Sequence, residues 1–157
     1  MATTATARFD LHVKAPLMQD NPVASSPGDI DSLVMFNSTE VTKRHYKVYA
    51  IAASGSQSLD LASALTDAYG TALTFAKVKA LVVRNKSTSA TAAATVERPS
   101  SNGVPILSAA GTIALDPIFI YVNKAGATVT ASTGDLISVN NADSAASADI
   151  EVLILGV

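Results

Sequence analysis

The stretch ADIEVLILGV, Ala148–Val157, is among the most apolar in the chain although it stands at the chain end. Chain ends ordinarily fray and tolerate polar residues. Ile150, Val152 and Ile154 alternate with Glu151, Leu153 and Leu155. β-Branched residues at a spacing of two favour a strand. The short length and Gly156 disfavour a helix. One face is apolar throughout, and the other is polar only at Glu151. The pattern predicts a strand half covered at its start and buried on both faces at its end. An exposed apolar edge invites aggregation, so this strand is expected between two neighbours.

Working back, DLISVNN (Asp135–Asn141) sets Leu136, Ser138 and Asn140 against Ile137 and Val139, and is the expected neighbour. NNADSAAS supplies turn formers between the two strands. ATVTAS precedes them through the turn STGD, with Gly134 available for a positive φ. GTIAL and PIFIYV come earlier, separated by Asp116-Pro117, because proline cannot continue a central ladder. Residues 111–157 therefore read as about five short antiparallel strands.

The middle repeats this style. KVKALVVRN (Lys77–Asn85) sets Val78, Ala80 and Val82 against Lys79, Leu81 and Val83. TAAATVER and VPILSA are weaker strands around the loop PSSNG. TKRHYKVYAIAA alternates through Tyr46, Val48 and Ala50, and QSLDLA follows the turn SGS. ASALTDAY (residues 62–69) is the one plausible helical turn, ended by Gly70. At the front, RFDLHVK reads as a strand through Phe9, Leu11 and Val13. APLMQDNPVASSPGDID then carries three prolines and no period, as an extended arm or long loop does. The expected fold is all-β: a jelly-roll-like antiparallel β-sandwich over residues 33–157. Residues 1–32 form an N-terminal strand and extended arm.

Composition bounds the function. A chain of 157 residues suits one domain with a real core. With no Cys, disulfides and thiolate metal sites are excluded. The net charge of -2 argues against bulk attraction to nucleic acid or an anionic membrane. The start, MATTATARFDLHVK, lacks the apolar run of a signal peptide. No run approaches the roughly 20 apolar residues of a membrane-spanning helix. Charged residues make up only 15%, against about 25% in ordinary domains. The mean hydropathy is +0.31. Alanine inflates these figures, but the preferred reading is a surface partly covered by other subunits, since interface centres are depleted in charge. The charge is also segregated. Residues 1–42 sum to -3, residues 43–98 to +5 and residues 99–157 to -4, which suits a polar assembly or chance on a solvated surface.

No chemistry-bearing motif stands out. His12 and His45 are the two histidines, and a solvent-facing strand position is expected for each rather than metal ligation. No G-x-S-x-G or phosphate-binding loop occurs, and SGS at 54–56 is turn chemistry. Asp135 suits turn capping better than catalysis. TKRHYK, with Lys43, Arg44 and Lys47, reads first as a solvated basic strand face and second as a phosphate contact. Dispersed aromatics and the absence of Trp weaken a sugar-binding reading. No catalytic residue, metal or cofactor is expected.

Two stretches carry a resemblance. LTDAYGTALTFAKVKALVVRN (Leu65–Asn85) is similar to a pattern in small structural proteins of tailed bacteriophages, a polar Gly turn before a Val-Lys-led strand ending in Asn. ATVTASTGDLISVNNADSAASADIEVLILG (Ala127–Gly156) resembles the same proteins in its Thr-rich strand, Gly-Asp turn and final apolar strand. Where those proteins often carry Trp before the Thr-Val strand, this chain has Ala127. Together the stretches fall within the C-terminal two-thirds of the chain.

The resemblance implies a capsid decoration (cement) protein on the virion surface, a homo-oligomer, commonly a trimer, that touches the major capsid protein and neither nucleic acid nor membrane. A head-fibre, neck or tail protein of the same virion shares this composition. A carbohydrate-binding β-sandwich is the rival from another class. Expected subunit or capsid contacts are Pro16, Leu17, Met18, Pro22 and Val23 in the arm, with Lys43, Arg44 and Lys47. Prolines pre-extend the arm and lower the entropy lost on docking. The arm either fastens one copy to the next or folds back on its own domain.

Overall fold

The computed structural model describes residues 7–13, 30–37, 39–87 and 93–157. The chain divides into two compact units, 1–40 and 41–157. In the first, β1 (Ala7–Val13) pairs antiparallel with β2 (Ile30–Phe36), from Ala7 opposite Phe36 to Val13 opposite Ile30. The expected boundary between residues 32 and 33 lies within β2. The arm residues Pro16, Leu17, Met18, Pro22 and Val23 lie outside the described residues.

The second unit is an antiparallel β-sandwich with no helix among the described residues. Its main strands are β3 (Lys43–Ile51), β4 (Ser56–Asp60), β7 (Lys77–Asn85), β8 (Ala94–Glu97), β9 (Thr112–Leu115), β10 (Ile118–Thr128), β11 (Leu136–Asn141) and β12 (Ala148–Gly156). One sheet runs β10-β7-β12-β3 and the other β4-β11-β8-β9. The pairing is nested: β3 with β12, β4 with β11, β7 with β10, and β8 with β9. A long hairpin of strands rolled up on itself gives that pattern, the jelly roll.

β12 sits between β7 and β3, as its apolar pattern requires. Ile150, Val152 and Ile154 are fully buried on the inner face, and Leu155 is buried on the other. The expected neighbour was wrong. Asp135–Asn141 contributes β11 to the opposite sheet, where Ile137 and Val139 join the same buried core as Ile150, Val152 and Ile154. Apart from the β8–β9 hairpin, consecutive main strands here lie in opposite sheets, so closeness in sequence did not mean pairing.

Other departures have local causes. PIFIYV and the first two residues of ATVTAS are one strand, β10, because Asn123–Gly126 form a bulge rather than a turn. There Asn123 Oδ1 accepts from the N–H groups of Ala125 (2.9 Å) and Gly126 (3.2 Å), with Gly126 at φ 79°. In β7, Lys79 has no partner on β12, a bulge that turns both Val78 and Leu81 into the core. The positive φ in the STGD turn belongs to Ser132, not Gly134. VPILSA forms no strand. ASALTDAY is not helical. Asp60 Oδ1 caps a turn by accepting from Ala62 and Ser63, and a small hairpin follows, β5 (Leu65–Thr66) and β6 (Ala72–Leu73). Asp67 closes that hairpin through the N–H groups of Tyr69 and Thr71, both at 2.8 Å.

Candidate interaction surface

Strand alternation gives each sheet an inner and an outer face. The second sheet's outer face is what a solvated surface looks like. Ser58 and Glu97 flank Ser138, and Thr95 lies beside Asn140. Asn140 Nδ2 donates to Glu97 Oε2 (2.9 Å), and Ser138 Oγ donates to Asn140 Oδ1 (2.9 Å).

The first sheet's outer face differs. Its central row is Ile120, Val82, Leu153 and Tyr46, one residue from each strand. The next row is Ile118, Arg84, Glu151 and Val48. On the other side, Val122, Ala80 and Leu155 lead to Arg44. Tyr46, Ile118 and Val48 protrude, at 46%, 42% and 38% exposure. A depression of about 250 Å³ lies among Tyr46, Val82, Arg84, Ile118, Glu151 and Leu153.

An ion pair interrupts this face near its centre. Arg84 Nη2 and Glu151 Oε2 form an ion pair at 2.6 Å, and the Tyr46 hydroxyl donates to Glu151 Oε1 at 2.6 Å. That hydroxyl, and then Arg84, hold the Glu151 carboxyl below the usual carboxylate range. The same hydrogen bond raises the Tyr46 phenol above its ordinary value.

The basic cluster is divided by the pleat. Arg44 shares the outer face with Tyr46, its guanidinium carbon 5.9 Å from the ring centre. Lys43 turns the other way and donates to the Thr74 carbonyl. Lys47 Nζ stands 5.0 Å from the Tyr49 ring centre. The three cations therefore do not form a single patch. Between the start of β3 and the β5–β6 hairpin lies a groove of about 350 Å³, rimmed by Arg44, Tyr46, Asp67 and Tyr69. Tyr69 is 93% exposed.

His45 corrects the expectation of a solvated strand position. It is 2% exposed, with Nδ1 2.7 Å from the Thr66 carbonyl and Nε2 2.9 Å from the Tyr49 hydroxyl. The carbonyl requires Nδ1 to donate, and the Tyr49 hydroxyl, which can give or take a hydrogen bond, completes the ring's pairing at Nε2. His45 thus ties the β5–β6 hairpin to β3. The reason is parity: His45, Tyr49 and Ile51 take the inner face, and the apolar-looking set Tyr46, Val48 and Ala50 takes the outer one. Asp135 is a turn residue as expected, accepting from the Ser132 N–H at 2.6 Å.

Sequence reasoning missed this outer face. Its residues come from four separate strands, and only the sheet order brings them together. Among the described residues, no three His, Cys, Asp or Glu side chains are grouped to hold a metal ion, and no helix is long and apolar enough to cross a membrane. No family model matches the chain, and neither a curated protein nor a solved structure is significantly similar to it.

Proposed function

We propose that the chain is a structural virion protein that decorates and stabilises a bacteriophage capsid, through contacts with its own copies and with the major capsid protein. The observation that carries this reading is the contrast between the two outer sheet faces. One is laid with Ser, Thr, Asn and Glu, and the other with Ile, Val, Leu and Tyr around the Arg84–Glu151 pair, with Arg44 at its edge. Contiguous apolar patches on an outer surface mark interaction sites. A flat sheet face held by a jelly-roll core presents such a patch rigidly, which suits adhesion. The jelly roll is an architecture of viral capsid domains as well as of lectins and cupins. The likeness of Leu65–Asn85 and Ala127–Gly156 to tailed-phage structural proteins points the same way.

The test is an image reconstruction of the particle whose genome encodes this chain. Density of this domain's size on the outer shell is the expected result. Density confined to the neck, tail or head fibres selects those roles, and none on the particle ends the virion reading.

A second reading is favoured by one observation. Tyr46 and the protruding Tyr69 rim the same groove with Arg44 and Asp67, a platform that suits a saccharide ring. Glycan-array binding lost in Tyr69→Ala supports it, and no binding to any glycan removes it.

A further inference from the structure

We propose that a second copy of the chain seats on the outer face of the β10-β7-β12-β3 sheet, packed sheet against sheet about a two-fold axis that runs along the strands between β7 and β12. The inference rests on reading that face as an interface, and not on the capsid.

The ion pair sets the axis. Arg84 on β7 and Glu151 on β12 are cross-strand partners in one row. Rotation by a half-turn about a line between those strands lays Arg84 of one copy over Glu151 of the other, and the reverse. The charges then alternate across the interface, so the pair does not repel its image. An axis perpendicular to the strands through this row would stack like charge on like charge, and one through the central row would lay both charges on Ala80 and Leu155, leaving them unpaired. A partner for this face must be largely apolar and carry an acid and a base in mirrored order at this row. The same face of a second copy meets that description.

The remaining residues agree with the operation. The sheet order β10-β7-β12-β3 laid over its own reverse puts β10 on β3 and β7 on β12. Val82 then meets Leu153, Ile120 meets Tyr46, and Ile118 meets Val48. Ile118 and Val48, two of the most exposed large apolar side chains, close each other at both margins. At strands about 4.8 Å and outward rows about 6.8 Å apart, the central row and the Ile118 row together cover roughly 260 Å² per copy, Arg84 and Glu151 included. That is well below the about 800 Å² per partner of a standard specific interface, so the contact is a weak one. Association is therefore expected at micromolar rather than nanomolar concentrations. An isologous contact of this kind closes at two copies, where the resemblance implies three.

The test is sedimentation equilibrium of the full chain with charges placed at the two margins. Ile118→Lys and Val48→Glu both fall on exposed positions, on strands separated by β7 and β12, so neither charge reaches the other within one copy. Unchanged thermal melts at low protein concentration establish that the variants are folded. The wild type is expected to form dimers at tens of micromolar. Each single variant should dissociate at least tenfold more readily. The double variant should recover most of the loss, because the introduced ammonium of one copy then faces the introduced carboxylate of the other. A wild-type chain that stays at 16.0 kDa up to high concentration overturns the proposal. So does association indifferent to either charge, or a double variant no better than its worse parent. A monomeric chain that still binds shells would sink this inference and leave the proposed function standing.

Discussion

Ile154 and Leu153 are neighbours on β12 and point to opposite faces, so truncating each to alanine should have unlike consequences. Ile154 is fully buried and lies between His45 of β3 and Leu81 of β7. Ile154→Ala removes three carbon groups, about 2.4 kcal/mol of transfer free energy at ~0.8 kcal/mol each. The cavity left behind adds to this, and buried Ile→Ala changes cost about 2–5 kcal/mol in all. For a domain of this size each kcal/mol lowers Tm by about 2–4 °C, so a fall of roughly 4–20 °C is expected. Leu153 is half-buried on the outer face beside Val82 and Tyr46. Leu153→Ala should cost about 1 kcal/mol or less in a monomeric sample. Calorimetry at one low protein concentration measures both, because self-association would otherwise add to the apparent stability. Equal losses, or a larger loss at Leu153, would refute the assignment of faces on which the account rests.

Four further outcomes are expected. Deleting Ile150–Val157 removes a central strand paired on both sides and should give insoluble protein; a soluble truncation that melts cooperatively would make β12 peripheral. Asn141→Ala takes a donor from the carbonyls of Ile51, Ala52 and Ala146 and should cost about 2–3 kcal/mol in urea unfolding. His45→Ala removes the tie to Thr66, and hydrogen exchange should quicken in Leu65–Leu73 more than in β7 or β12. The folded Glu151 carboxyl titrates below its unfolded counterpart, so its contribution is present above the usual carboxylate range and lost as pH falls through the folded value. Glu151→Gln should therefore flatten the decline in stability below about pH 5, measured as Tm against pH.

Much of the fold was legible because alternation and turn chemistry are local. β7, β11 and β12 could be read from period-two apolar runs, and Asp116-Pro117 marks the break between β9 and β10. What could not be read is pairing. Nothing in DLISVNN says that it joins the other sheet, because a strand's inner face looks the same whichever sheet holds it. β2 was missed because IDSLVMF sits behind a proline-rich run and shows no clean alternation. His45 was misplaced by its neighbours. In KRHYKVYAI both strand faces are mixed, and burial depended on the Thr66 carbonyl and Tyr49 hydroxyl being near. The outer face was illegible for a further reason. Its parts, Tyr46, Val82, Ile118 and Leu153, are spread over more than a hundred residues of sequence. Each looks like an ordinary half-buried strand residue until the sheet order is known.

On the proposed function, the apolar outer face of the β10-β7-β12-β3 sheet is covered when the protein is at work. Oxidative footprinting of side chains in the purified chain at low concentration and in the native assembly tests it directly. The account predicts that Tyr46, Ile118 and Leu153 are labelled in the dilute chain and protected in the assembly, while Ile113 at the margin of the second sheet is labelled alike in both. Equal labelling of Tyr46, Ile118 and Leu153 in the two states would contradict it.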